Sequence, residues 1–246
     1  VGTVAKNKWI KYEFMKRDAS LAPYLPETKR MNRPSFWSLL KKHRHVMVKP
    51  VWGSRGRGVI QVSDLGNGRY AVHYENRAQV IQGRENTYRY IQKIMGSASY
   101  MVQRRITRPT INNRPFDMRV IVQRKKSSSQ WVVTGKLIKV AGKGYIVSNN
   151  TRSKGTLLKF RPGLQRSSIR HLPASALESK INKVSLLSVR RLKALFPEHR
   201  IYGLDVATDP GGRVSIIEAN LYPAMSHFRK LKDAALYRRI LAYKRG

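Results

Sequence analysis

Near the end of the chain, two β-prone runs, IYGLDVA (201–207) and VSIIEA (214–219), are separated by one turn segment, Asp209-Pro-Gly-Gly-Arg213. Proline and paired glycines break any helical continuation, and a loop this short folds the runs back on each other as an antiparallel hairpin. With Pro210 to Arg213 as the loop, Asp209 faces Val214 and Asp205 faces Glu218. Strand side chains alternate between faces, so Asn220 projects on the same side as Glu218. Two carboxylates and an amide oxygen then meet at cross-strand distance. Such hard oxygen donors suit Mg²⁺ bridging phosphate oxygens. A plain salt-bridged hairpin would use the same two acids.

That pair carries weight because acids are scarce: 50 Lys and Arg stand against 13 Asp and Glu, a formal net charge of +37. The cations are spread through periodic, apolar-containing segments, so they decorate a folded body and not a tail. Charge of this size suits a polyanionic partner, whether a phosphate-rich ligand, nucleic acid, teichoic-type polymer or acidic protein. The nucleic-acid reading rests on charge alone, with no helix-turn-helix, zinc-knuckle or RNP-type sequence behind it. The absence of cysteine excludes disulfides and thiolate metal sites. No run approaches the ~20 apolar residues of a membrane span. The opening Val1-Gly-Thr-Val-Ala has no signal-peptide apolar region, so a cytoplasmic or otherwise non-exported protein is expected.

Periodicity sets the rest of the expected organisation. Helices are expected over 8–18, 35–44 with Ser35 as N-cap, 85–95, about 175–195 and about 226–243. Strands are expected at 46–49, 58–62, 69–75, 100–106, 117–124, 131–140 and 144–148, while 149–172 reads as one long loop. The segment 23–28 is a proline-punctuated loop or short strand. With no repeat and no obvious linker, the pattern is α+β in two lobes around a cleft.

A second chemical signal is VMVKPVWGSRGRGV (46–59), a strand ending in Lys49 and a loop with three glycines that turns back into a strand. Glycine lets backbone N–H groups approach phosphates, and Lys49 adds a point charge. The order is not that of a Walker A loop, and a glycine-rich hairpin by itself is also the make-up of an ordinary turn.

Together, in this order and separated by a strand-rich middle, the two segments resemble the ATP-grasp superfamily, in particular its YheC/YheD-type, endospore coat-associated branch. The resemblance covers nearly the whole chain, through NKW (7–9), PET (26–28), VKP (48–50), YMVQRRI (100–106), RPFDMRVIVQ (114–123), WVVTG (131–135), IVSN (146–149) and GLDV…IIEANLYP (203–223). It implies an ATP-grasp fold whose two lobes carry antiparallel sheets enclosing a nucleotide cleft. By that resemblance residues 1–45 form a short N-terminal segment with helices, 46–103 a lid lobe and 104–246 a C-terminal lobe with the metal site. The N-terminal domain of longer relatives is expected to be truncated.

The resemblance also assigns roles. Lys8 and Lys49 would reach the phosphates of ATP, and Gly53, Ser54, Gly56 and Gly58 would fold over them. Gln103, Arg104 and Ile106 would form the hinge that holds adenine. Arg119 would face the transferred phosphate or the substrate carboxylate, with Lys49 as its catalytic companion. Asp205, Glu218 and Asn220 would hold Mg²⁺. Two departures fall on the acceptor side: SNNTRSKG (148–155) replaces an expected Gly-Gly pair, and Lys139 stands where an arginine is expected, with Arg152 a candidate to compensate at the γ-phosphate. The implied activity is carboxylate–amine ligation with unknown substrates, one of them an acidic polymer in the charge-based reading. A non-catalytic ATP-binding protein of the spore surface is the alternative. His73, His171 and His227 form no triad pattern and read as surface or core histidines.

Overall fold

The structure, a computed structural model, describes residues 2–53, 56–145 and 155–246. Its first sheet is antiparallel and six-stranded, in the order β1-β6-β2-β3-β4-β5. The strands are β1 (Thr28–Arg30), β2 (His45–Pro50), β3 (Ile60–Gly66), β4 (Arg69–Tyr74), β5 (Arg77–Gln82) and β6 (Tyr100–Arg104). Alternation along these strands gives each face its character. Val46, Val48, Ile60, Val62, Val72 and Val102 turn one way and pack under α3 (Arg33–His43) and α4 (Arg84–Met95), which contribute Phe36, Leu39, Leu40, Tyr88 and Ile91. The residues between them, including Met47, Lys49, Gln61 and Gln103, line a cleft on the opposite side.

The second sheet runs β10-β9-β8-β11-β12, with β7 (Thr110–Ile111) paired to β8 (Arg114–Gln123). Its other strands are β9 (Val132–Val140), β10 (Thr156–Lys159), β11 (Ile201–Thr208) and β12 (Val214–Asn220). Behind it lie α1 (Gly2–Lys6), α2 (Lys8–Lys16), α5 (Phe160–Gln165) and the long α6 (Ala174–Lys193). Met118, Val120, Leu204, Val206, Ile138 and Ile216 meet Met15, Ile181, Val184 and Leu192 there. A smaller cluster joins Ile121 and Leu137 to Phe228 of α7 (Ser226–Lys230) and Ile240 of α8 (Ala234–Arg245). The expected segment 1–45 is divided between these bodies: α1 and α2 cover the second sheet, while β1 and α3 belong to the first.

Several local expectations are corrected. The N-cap of α3 is Asn32, not Ser35: its side chain accepts from the Ser35 backbone N–H, so the helix starts earlier. β5 was not expected, because its residues are almost all exposed and carry no alternation to read. Of the expected loop 149–172, residues 156–165 instead form β10 and α5, whose Gly163 sits so tightly on Ile138 that a Cβ would come within 2.6 Å of its Cδ1. The expected C-terminal helix is two helices. Lys232 takes a left-handed conformation at φ 53°, and Asp233 caps α8 by accepting from Leu236 N–H at 3.1 Å.

Gly203 shows how tightly the chemistry-bearing strands are seated. It lies opposite Asn220 in the β11–β12 ladder, and a Cβ there would come within 2.4 Å of Pro223 Cβ and 3.5 Å of Arg119 Cδ. Gly203→Ala is therefore expected to lower stability by about 1–3 kcal/mol through overpacking, as read from urea unfolding; parent-like stability would mean that Pro223 yields freely.

Candidate functional site

The β11–β12 ladder pairs Asp205 with Glu218 and Gly203 with Asn220. The pair predicted from spacing is present, but its register arises differently. Thr208, not Asp209, faces Val214, and a bulge between Asp205 and Val206 inserts one residue before Glu218 comes into line. Next to β11, strand β8 puts Arg119 opposite Asp205. Beyond it, β9 puts Lys139 opposite Asp117. One face of the sheet thus carries acids and bases in alternation.

Those groups form a buried ion-pair lattice. The Arg119 guanidinium donates to both Asp205 oxygens, Nε to Oδ1 at 2.8 Å and Nη2 to Oδ2 at 3.1 Å. Lys139 Nζ bridges Asp205 Oδ1 at 2.8 Å and Asp117 Oδ1 at 2.9 Å. Arg108 closes the row on Asp117 Oδ2 at 3.1 Å. Burial disfavours ionised Asp205, but Arg119 and Lys139 overcome it and hold the carboxyl well below the usual carboxylate range.

Glu218 is held differently. Its closest cation is Lys8, at 4.0 Å, and its side chain keeps 26% of its exposure. Lys8 starts α2 and donates its Nζ to Gly53 O at 2.6 Å, while its backbone N–H bonds Val51 O at 3.0 Å. It therefore joins the N-terminal helices to the glycine-rich flap and to Glu218 at once. Lys11, one turn on, is buried and donates to Ala5 O at 2.9 Å and Ala219 O at 2.6 Å. That second bond fixes the carbonyl of Ala219, the residue between Glu218 and Asn220.

From the other sheet, Lys49 Nζ donates to Gln103 Oε1 at 2.5 Å, and Gln103 Nε2 donates to Thr28 Oγ1 at 2.9 Å. The chain of bonds aims the lysine across the cleft. Burial, reinforced by Lys8 and Arg108 and opposed by Glu218, lowers the Lys49 pKa to about 8. Just past Gln103, Arg104 N–H bonds Glu27 O at 2.8 Å and Arg105 N–H bonds His45 O at 3.1 Å. Gly53, Gly56 and Gly58 have φ of +111°, +70° and +73°, a region costly for other residues, so the flap's shape demands glycine. At Gly58 the space is taken by Tyr100 Oη, 2.7 Å from where a Cβ would be.

These parts line a single cleft between the sheets, about 1170 Å³ including its open mouth. Lys8, Lys49 and Gly56 meet Asp205, Glu218 and Asn220 there. Gln103, Arg104, Ile106 and Arg119 complete the part of the wall expected from sequence. Gly53 touches the site through Lys8. Gly58 packs on Tyr100, while Ser54 and Arg152 lie outside the described residues. Sequence reading gave no role to Asp117, Arg108 or His227, which also line the cleft. His227 is neither a surface nor a core residue. Its Nδ1 is buried with no hydrogen-bond partner among the described residues, and burial, then Arg119 and Lys139, push its pKa down to about 4. Its only sequence signal was its place seven residues after Asn220.

With that geometry in view, the comparisons decide the family. A model of the YheC/D-like ATP-grasp family matches residues 2–245. The chain belongs to that family. Endospore coat-associated protein YheD of Bacillus subtilis (strain 168) is 24% identical over 238 residues, which cover 90% of this chain and 49% of YheD. YheC of the same organism is 23% identical over 154 residues, covering 61% of this chain and 42% of YheC. The chain thus spans about half the length of the curated relatives it matches. Among solved structures, an ADP complex of PurK, N5-carboxyaminoimidazole ribonucleotide synthetase, superposes with TM-score 0.56 at 10% identity, covering 98% of this chain and 52% of PurK. An Aspergillus clavatus N5-carboxyaminoimidazole synthase in complex with ADP and 5-aminoimidazole ribonucleotide gives TM-score 0.54 at 8% identity, covering 90% of this chain and 46% of that protein. The expected α+β ATP-grasp fold is the fold observed. Among the described residues, no helix is long and apolar enough to cross a membrane.

Proposed function

We propose that the chain binds ATP with a divalent metal and activates a carboxylate for amide formation with an amine. The observation that carries this reading is the meeting of Lys8 and Lys49 with Glu218 and Asn220 in one cleft under a glycine flap. The solved structures of similar fold that hold ADP or ATP support it. The donor set fits a hard cation: Glu218 and Asn220 present oxygens to the cleft, and Asp205 can join by sharing its oxygens with Arg119 and Lys139. A bound metal would supply positive charge to phosphate oxygens.

The chain's own residues supply the rest. Lys8 and Lys49 would neutralise the phosphates and hold the triphosphate in line. Arg119, its fork fixed by Asp205, would orient the substrate carboxylate. That carboxylate's oxygen attacks the γ-phosphorus, the bond to the β-phosphate oxygen breaks, and acyl phosphate and ADP result. The amine then attacks the acyl carbon, phosphate leaves, and the ammonium proton passes to solvent. The test is mass spectrometry of an extract incubated with protein, ATP and Mg²⁺. A new amide adduct together with ADP is expected; absence of both would defeat the ligase reading.

Lys49 gives a pH signature. Its charged form holds phosphate, and with a pKa lowered to about 8 it loses charge as pH rises through that value. ATP affinity by calorimetry is expected to weaken between about pH 7 and about pH 9, and Lys49→Arg to flatten that change. A parent profile as flat as the variant's would remove Lys49 from the phosphate site.

One observation favours a second reading, in which ATP is held but not used: Asp205 is already committed to Arg119 and Lys139. Tight ATP binding with no ADP released over hours, across a panel of carboxylates, would select it. The endospore coat association of YheD and YheC supports a spore-surface location in either case.

A further inference from the structure

The cleft holds more positive charge than a nucleotide can use. Lysines and arginines outnumber carboxylates along its walls by eight to three. Two of the carboxylates, Asp117 and Asp205, are already paired with Arg108, Arg119 and Lys139. Arg105 is half-buried and makes no ion pair among the described residues. Arg57 reaches the same space from the flap.

Other groups in the cleft respond to the excess. Burial and the neighbouring Arg108 both lower the Arg105 pKa, with no carboxylate opposing them. Burial together with Arg119 and Lys139 keeps His227 neutral, and Lys8 and Arg108 help to lower Lys49. A desolvated guanidinium beside another is costly unless an anion sits against it. Metal bound to a triphosphate cancels part of the nucleotide's charge, so ATP leaves cations unmatched.

Resting on the ligase reading above, we propose that the carboxylate substrate is itself multiply acidic, a carboxylate-rich peptide or polymer whose further charges seat against Arg57, Arg105 and Arg108. Carboxylates are favoured over phosphates because the proposed reaction begins by activating one. The overall charge of +37 would draw such a chain toward the protein from any side. The decisive question is whether the cleft, and not the surface, holds it.

The exposed face of α6, with Lys180, Lys183, Arg190 and Lys193, supplies the control, since these cations lie away from the cleft lining. The experiment is fluorescence anisotropy of a dye-labelled oligoglutamate with the full chain at about 150 mM salt, without ATP. The double variant Arg57→Gln/Arg105→Gln is expected to weaken binding about tenfold, while Lys183→Gln/Arg190→Gln changes it less than about twofold. Arg57→Gln alone, on an exposed loop, keeps the test readable if the double variant does not fold, and is expected to weaken binding in the same direction.

Equal losses in the cleft and surface variants would overturn the proposal, as would binding no tighter than that of neutral oligoglutamine. So would displacement by an oligothymidylate of matched charge at equal potency, which would mark a general polyanion surface. The readout needs no turnover. Failure of the ligase reading appears separately, as oligoglutamate binding without ADP release.

Discussion

Glu218→Ala is expected to cut metal-dependent ADP formation by about a hundredfold to a thousandfold, on the scale of losing one preorganised electrostatic group, and to leave the unfolding transition where it was. The two halves of this expectation follow from the same geometry. Glu218 is the cleft carboxylate outside the ion-pair lattice: its nearest cation is Lys8 at 4.0 Å, and it remains partly exposed. Removing it strands no short ion pair, so stability has little to lose. It does remove the oxygen donor that stands open beside Asn220. It also removes the carboxylate that does most to raise the Lys49 pKa, ahead of Asp205, so the pH at which ATP affinity declines should move down. ADP assays with and without Mg²⁺, together with calorimetry of ATP binding, check both effects. If variant and parent turned over ATP equally, the metal would have to lie elsewhere.

How much of this was legible depended on whether a contact is local in sequence. The facing of Asp205 and Glu218 could be read from a hairpin because one short turn fixes both strands. Even there, the bulge at Asp205/Val206 was invisible, and the predicted pair was reached because a one-residue error at Val214 was offset by it. The partnership of Arg119 with Asp205 could not be read, since it depends on β8 lying beside β11, strands that are 86 residues apart at the contact. The same holds for Lys139, noted in the sequence as a departure from an expected arginine and placed by the fold between two aspartates. β5 escaped because an edge strand exposed on both faces has no period-2 signature. β10 and α5 escaped because a segment with Pro162 and Gly163 reads as loop by propensity, while its packing on Ile138 is tertiary.

Asp205→Asn is expected to do the reverse of Glu218→Ala. Across the same rung of the hairpin, Asp205 is the counter-charge for two cations, Arg119 and Lys139, whose side chains are about as buried as its own. Breaking a buried pair from one side leaves uncompensated charge, at a cost of about 3–5 kcal/mol. Asparagine keeps the shape and one acceptor oxygen, so the loss measures charge and not a cavity. The pH dependence has a definite sign. The folded-state pKa of Asp205 lies below its unfolded value, so its stabilisation is fully present above about pH 4 and is lost as acid drives the solution through that value toward the folded pKa. Urea unfolding at neutral pH should therefore separate parent from variant widely, and the gap should shrink at about pH 3, where the carboxyl of the unfolded parent takes up a proton while that of the folded parent stays ionised. A variant within about 0.5 kcal/mol of the parent at neutral pH would mean the lattice contributes no net stability. If instead the stability is lost as expected, the two facing acids have divided their work: Asp205 holds Arg119 and Lys139 in place, and Glu218 is left open toward the cleft.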